Sequence, residues 1–339
     1  MLARDFGTLC APTGSGKTVI ALAMIAQRRQ PTLIVVHTKD LAYQWVARVQ
    51  QFLGMPAGRI GVIGAGQKKL GAQITVALVQ SLYKCAAQIA PAVGHLVVDE
   101  CHRTPSRTFT EAVTEFDAKF MLGLSATPYR RDMLSQLIFW HLGDLHHQVP
   151  KDDLVSSGQI LQAQVILRPT TFKPYHDPVS EYSQMLSELT ADDDRNRLIC
   201  SDISQEATQA RGVCLVLSDR KKHCQTLQLI LKYKFGMDST LLTGDLTLEE
   251  RKDVLQRLNQ GRIKVLIATG QLIGEGFDCE NLATLFLVTP IRFSGRVIQY
   301  IGRILRPSGA KDQARIFDYV DDRVEVLKTA ARARQRIYG

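Results

Sequence analysis

Short apolar runs alternate with amphipathic stretches along the whole chain of 339 residues. The runs are strand-length and rich in Val, Ile and Leu, without a polar residue at every second position. In the first half the predicted strands are Phe6–Cys10, Thr32–Val36, Ile74–Leu78, His95–Val98 and Phe120–Leu124. A second series comprises Gln164–Leu167, Val213–Leu217, Ser239–Leu242, Lys264–Ala268, Thr284–Val288 and Ala314–Tyr319. Helical spacing marks Val19–Arg28, Ser180–Ala210 and Leu248–Asn259. Strand and helix in alternation predict the α/β class, a parallel sheet wrapped by helices. The pattern lapses into polar residues between Val149 and Gly158, which predicts a connection between two domains, 1–149 and 150–339.

With 45% hydrophobic residues, the chain has apolar material for two separate cores. The net charge of +9 favours a polyanionic partner without specifying one. Seven scattered cysteines form no Cys-x-x-Cys pair, so neither a disulfide framework nor a zinc knuckle is expected. No apolar run reaches membrane-spanning length and the N-terminus lacks a signal-peptide layout, which predicts a cytoplasmic protein without a membrane partner.

Two segments carry chemistry. Ala11-Pro12-Thr13-Gly14-Ser15-Gly16-Lys17-Thr18 follows a predicted strand and opens a predicted helix, the setting a phosphate cradle requires. Gly14 and Gly16 let backbone N–H groups turn inward, and the helix N-terminus adds its positive dipole end. Lys17 would neutralise β and γ phosphates, and the Thr18 hydroxyl would ligate magnesium. The second segment, Leu96-Val97-Val98-Asp99-Glu100, ends an apolar strand in two carboxylates. Side chains diverge at a strand end, so Asp99 would hold hydrated Mg2+ while Glu100 orients the attacking water.

Asp99-Glu100-Cys101-His102 resembles the DExH box of superfamily 2 helicases, and Ser125-Ala126-Thr127-Pro128 resembles their motif III. Val36–Leu41 is similar to motif Ia and Val79–Leu82 to the nucleic-acid element that follows it. In the second half, Val213–Asp219 resembles motif IV, and Ile267–Gly270 continuing to Gly274–Asp278 resembles motif V. Gln299-Tyr300-Ile301-Gly302-Arg303-Ile304-Leu305-Arg306 resembles motif VI. These matches run in family order through both halves.

The resemblance implies two tandem RecA-like P-loop domains, with ATP and Mg2+ as cofactors and a nucleic-acid partner, DNA ahead of RNA. It assigns nucleotide contact to the segment from Pro12 to Thr18 and to Gly276 and Asp278, and γ-phosphate contact to Arg303 and Arg306. Coupling of the nucleotide site to domain closure falls to His102, Ser125, Thr127 and Gln299. Nucleic-acid backbone contact is expected from Thr38, Lys39, Gln80, Ser81, Thr243, Gly244 and Thr269, each of which a turn or capping role would equally explain. The basic stretch Arg332-Ala-Arg334-Gln-Arg336 reads as a solvated helix end, ahead of the alternative that it adds electrostatic grip on nucleic acid. Arg130-Arg131-Asp132 after motif III stands where XPB-type proteins carry Arg-Glu-Asp, and the resemblance extends to the helicase subunits of restriction enzymes. Only Met1–Leu9 precedes the P-loop segment, so the glutamine-bearing part that reads adenine in this family is expected from further domains or subunits. Two alternatives stay open: a duplex-DNA translocase in a restriction or phage-defence complex, and an ATP-gated binding module with little turnover.

Overall fold

The computed structural model describes the chain except residues 13–14, 102–106, 127–134, 210, 275–278, 280, 292–299, 303, 306, 308–312 and 339. It divides into two compact units, Met1–Leu154 and Val155–Gly339.

The first unit holds an eight-stranded sheet of β1 (Phe6–Cys10), β2 (Thr32–Val36), β3 (Gly61–Gly64), β4 (Gln67–Lys69), β5 (Ile74–Leu78), β6 (His95–Val98), β7 (Phe120–Ser125) and β8 (Leu145–Gln148). Their spatial order is β4-β3-β5-β2-β6-β7-β1-β8. All pairings are parallel except β3 with β4. Its helices are α1 (Lys17–Arg28), α2 (Lys39–Leu53), α3 (Val79–Leu82), α4 (Ala86–Ile89), α5 (Arg107–Val113) and α6 (Ser135–Leu142), and the division between the units falls within α7 (Lys151–Ser156). Alternate residues of one strand serve opposite layers, because strand side chains have period two. Ile34 and Val36 of β2 pack with α1 and α2, whereas Leu33 and Val35 face the cluster containing Leu82, Phe109 and Leu142. Burial on both faces explains why these strands are unbroken apolar runs.

Three strands escape the apolar-run criterion. Gln67-Lys-Lys and Leu145-His-His-Gln lie at the two edges of the sheet and are mostly exposed, while β3 is short and bounded by glycines. Polar residues on edge strands discourage pairing with other chains, and the same residues hide the strand from a search for apolar runs.

The second unit holds β9 (Ala163–Pro169), β10 (Val213–Ser218), β11 (Thr240–Leu242), β12 (Val265–Thr269), β13 (Leu282–Leu287) and β14 (Ala314–Val320). They lie in the order β11-β12-β10-β13-β14-β9 and pair in parallel throughout. Its helices are α8 (Tyr182–Ala191), α9 (Asp193–Gln209), α10 (Lys221–Phe235), α11 (Leu248–Asn259), α12 (Gly270–Gly274) and α13 (Glu325–Tyr338). Ile199, Ile203, Leu227 and Leu231 bring α9 and α10 onto one sheet face against Val216, Ile267, Phe286 and Tyr319.

Three readings of the sequence need correction. The helical stretch 180–210 is two helices that break at Asp192, whose carboxylate accepts the Arg195 N–H at 2.7 Å and so starts the second one. The polar stretch 149–158 is helical from Lys151 to Ser156. Arg334 is not solvated: it is 3% exposed and shares a helix face with the buried Leu327 and Ala331. Its guanidinium donates to both oxygens of Asp318, at 2.7 and 3.0 Å, and Tyr338 donates to the same carboxylate at 2.6 Å. Asp318 lies in β14 and is fully buried. Spacing places Arg334 on the inner face, and the counter-charge comes from a strand that helical periodicity alone does not reveal.

Further buried polar groups line the carboxyl edge of the second sheet. Arg195 grips Asp321 through Nε at 2.8 Å and Nη2 at 3.2 Å, and its Nη1 donates to the Val288 carbonyl at 2.8 Å. Beside it, His223 joins Asn196 Oδ1 at 2.8 Å and Ser218 Oγ at 3.0 Å. Burial first, and the Arg195 charge second, drive the His223 pKa down to about 3.

Two outcomes follow. Arg334→Ala leaves Asp318 charged and buried, and should cost about 3–5 kcal/mol in denaturant unfolding; Arg332→Ala, on the exposed face, should stay within about 0.5 kcal/mol. His223 is neutral when folded and takes a proton below its ordinary 6.5 when unfolded, so its contribution is complete above pH 6.5 and declines on acidification toward 3. Unfolding of the second unit, followed by hydrogen exchange from pH 7.5 to 5, should weaken steadily below 6.5 by up to about 1.4 kcal/mol per pH unit, and His223→Gln should flatten that slope.

Candidate nucleotide site

Parallel pairing brings the carboxyl ends of β5, β2, β6, β7 and β1 to one edge of the first sheet in that order. The chemistry-bearing segments follow those strands directly. Asp99 donates its backbone N–H to the Val35 carbonyl at 3.0 Å, and Ala11 donates to the Ser125 carbonyl at 3.0 Å. The end of β6 is thus tied to β2, and the start of the P-loop to Ser125.

Gly16 stands at the N-cap of α1 with φ +81°, a left-handed backbone that suits glycine, and no side chain caps the helix there. The first turn carries no acidic residue. These features leave the amino end of a 12-residue helix with no carboxylate of its own first turn to oppose its positive dipole. Lys17 opens α1 and donates its ammonium to the carbonyls of Ala11 at 2.7 Å and Pro12 at 3.1 Å. Ser15 Oγ also donates to the Pro12 carbonyl, at 2.7 Å. Thr18 is half-buried in the first turn of α1.

Asp99 is buried, and both of its oxygens are engaged. Oδ1 accepts the Glu100 N–H at 2.9 Å, and Oδ2 accepts the Trp45 indole N–H at 2.8 Å. Burial chiefly, and the Glu100 charge next, push the Asp99 carboxyl above the ordinary carboxylate range. The Trp45 donor, Lys17 and the Glu100 N–H pull in the opposite direction. Lys17, Asp99 and Glu100 therefore share one electrostatic environment. Glu100 has φ +52°, a left-handed conformation that costs a non-glycine residue about 1–2 kcal/mol. Strain of this kind persists where surrounding structure overrides it, often at functional sites.

The nucleic-acid candidates of this unit lie along the same edge. Thr38 caps α2, its hydroxyl accepting the Leu41 N–H at 3.3 Å, and Lys39 is the exposed first residue of that helix. Gln80 is exposed and donates to the His37 carbonyl at 3.1 Å, with Ser81 half-buried beside it.

The family models match in keeping with this geometry. That of the type III restriction enzyme res subunit covers residues 3–130, and that of the helicase conserved C-terminal domain covers 194–308. The chain belongs to the superfamily 2 helicases. Within that superfamily its similarities point to the XPB and restriction-subunit branch. The chain is 26% identical over 332 residues to DNA 3'-5' translocase XPB2 of Sulfurisphaera tokodaii, covering 88% of this chain and 74% of that one. It spans 56–63% of four further relatives named as helicases. Among solved structures, a fragment of an HsdR subunit of a type I restriction enzyme from Vibrio vulnificus aligns with TM-score 0.71 at 17% identity, over 95% of this chain and 61% of that one. Dbp5 of S. cerevisiae, bound to RNA and ADP BeF3, aligns with TM-score 0.67 at 16% identity, over 98% and 83%. These two likenesses support the pair of RecA-like domains.

In the second unit, Thr243 and Gly244 follow β11 and Thr269 ends β12, two neighbouring strands at one side of the sheet. Thr243 is buried, Thr269 half-buried and Gly244 exposed. Tyr300 OH donates to the Gly270 carbonyl at 2.6 Å, which ties the motif VI segment to motif V. A Cβ at Gly270 would lie 2.7 Å from that hydroxyl and 2.9 Å from Asp219 Oδ1, so glycine is needed there. Thr13, Gly14, His102, Thr127, Gly276, Asp278, Gln299, Arg303 and Arg306 lie outside the described residues, as does Arg130-Arg131-Asp132.

The motif reading passed over Trp45 and Tyr300. Each contact joins residues distant in sequence; the available signal was the rarity of tryptophan, which occurs twice in the chain. Among the described residues, no helix is long and apolar enough to cross a membrane. Glu100→Gly should raise unfolding stability by about 1 kcal/mol relative to Glu100→Gln, since only glycine relieves the left-handed backbone; paired denaturant titrations of the two variants give the difference directly.

Proposed function

We propose that this chain is an ATP-driven motor that moves on or remodels DNA, with ATP bound at the β1–α1 turn and hydrolysed beside the end of β6. The observation that carries this reading is the grouping of Lys17, Asp99 and Glu100 at one sheet edge, next to an uncapped helix N-terminus. The fit to a magnesium nucleotide rests on donor chemistry. Asp99 and the Thr18 hydroxyl are hard oxygen donors, and Mg2+ is commonly held by one or two carboxylates together with phosphate oxygens and water. Bound there, the ion would neutralise charge on the β and γ phosphates.

The chain's own groups take the remaining roles. Lys17 leaves the Ala11 and Pro12 carbonyls for phosphate oxygens, while N–H groups at the start of α1 receive others. Glu100 orients the attacking water. Arg303 and Arg306 stabilise charge on the transferred phosphoryl group, and Gly276 and Asp278 contact the nucleotide. His102, Ser125, Thr127 and Gln299 pass the state of the site to domain closure. Thr38, Lys39, Gln80 and Ser81 hold the nucleic-acid backbone, together with Thr243, Gly244 and Thr269. DNA is favoured over RNA by the XPB and restriction-subunit relatives, whereas Dbp5 with its bound RNA supports only the fold.

A second reading, a duplex-DNA translocase that does not separate strands, is favoured by the match to the type III restriction enzyme res subunit. Displacement of a triplex-forming strand without unwinding of a forked duplex selects it.

The test is ATP hydrolysis with single-stranded DNA, duplex DNA, forked DNA and RNA at a fixed stated salt concentration, because backbone contacts are salt-sensitive. DNA should stimulate turnover more than RNA, and Lys17→Ala or Glu100→Gln should reduce the stimulated rate by at least about 100-fold while the variants stay folded. Hydrolysis indifferent to every polynucleotide, or surviving either substitution, overturns the reading.

A further inference from the structure

Trp45, which makes a buried contact with Asp99, lies outside the family motifs. Trp45 is the seventh residue of α2 and is 2% exposed, within the apolar layer that includes Leu22, Ile25, Val49 and Val97. A buried indole N–H requires an acceptor. Here the acceptor is one oxygen of the carboxylate at the end of β6, at 2.8 Å. The other oxygen accepts the Glu100 N–H at 2.9 Å. Donors on both oxygens fix the plane of the carboxylate as well as its position. Each carboxylate oxygen has two lone pairs, so capacity remains for a further ligand.

The helix that carries Trp45 is held at its other end by nucleic-acid candidates. Thr38 caps it, Lys39 begins it, and Gln80 holds the His37 carbonyl just before it. Six residue steps separate Lys39 from Trp45, roughly 9 Å along an unbroken helix. A displacement at the capped end therefore reaches the indole through rigid backbone.

We propose that Trp45 is a positioning residue for Asp99: its N–H fixes the carboxylate in the orientation that receives the metal and makes α2 a strut between the Thr38–Lys39 end and the nucleotide site. This rests on the reading of Asp99 as the metal-holding residue. Trp45→Phe retains most of the packed ring and removes the donor. Partners that orient a metal ligand in this way are commonly worth 10–100-fold in metal affinity.

The test titrates Mg2+ into the full chain with a fluorescent ADP analogue bound. Trp45→Phe should raise the half-saturating Mg2+ concentration by about 10-fold or more, with metal-free nucleotide binding unchanged. Asp99→Asn is the control for the underlying reading. If Asp99→Asn shifts the titration and Trp45→Phe does not, Trp45 only fills space and the inference is wrong. If Asp99→Asn titrates like the wild type, the assignment of Asp99 itself falls. Should Trp45→Phe fail to fold, Trp140→Phe provides a second route, because Trp140 is 74% exposed and its removal leaves Trp45 as the sole tryptophan. Its emission should then change when Mg2+ is added to the ADP-bound protein and should not change in Asp99→Asn. An unchanged emission overturns the proposal.

Discussion

Parallel strand register is the constraint on which the first unit's site depends. Cys10 pairs with Ser125 and Val98 with Gly123, so the segments leaving β1, β6 and β7 emerge side by side. Parallel strands require a crossover between each pair, and those crossovers are the helices that bury both faces of the sheet. Candidate catalytic groups from distant parts of the sequence then converge on one edge without reaching across the core. The hydrogen bonds from Ala11 to Ser125 and from Asp99 to Val35 extend the ladder just past the strands.

The same architecture sets a cost. A sheet buried on both faces leaves little room for charge, and among the described residues buried charges meet specific partners. Arg195 meets Asp321, Arg334 meets Asp318, and Arg168 meets Asp202 with both oxygens engaged at 2.8 Å. Pairs of this kind add little net stability, because desolvation offsets most of the attraction, but breaking one is expensive. In the second unit they tie α9 and α13 to strands, and Arg195 and Asp321 do so near the carboxyl edge.

Central strands were legible because burial on both faces writes itself as an uninterrupted apolar run. Phe6–Cys10, Thr32–Val36, Ile74–Leu78 and His95–Val98 have the expected bounds. The P-loop segment and the Asp99-Glu100 pair could be nominated from sequence because the chemistry they suggest depends on local spacing. The edge strands β4 and β8 were not, since their exposed positions are polar. Arg334 was misread and Trp45 passed over for a common reason. Each is defined by a partner on another element, at separations of 16 and 54 residues, and helical spacing shows a face without showing what the face meets.

The resting contacts of Lys17 bear on which anions the site selects. Its ammonium already holds two carbonyls, so an incoming phosphate exchanges one set of acceptors for another. Charge-assisted hydrogen bonds are worth about 1.5–3 kcal/mol each, and only the surplus over the displaced carbonyls contributes to affinity. A small anion offering one or two oxygens gains little from such an exchange. A polyphosphate gains more, because it engages the helix N-terminus at the same time. On the proposed function, the folded-back lysine would set a threshold of ligand charge, so that discrimination against small anions would begin before any base or sugar is read.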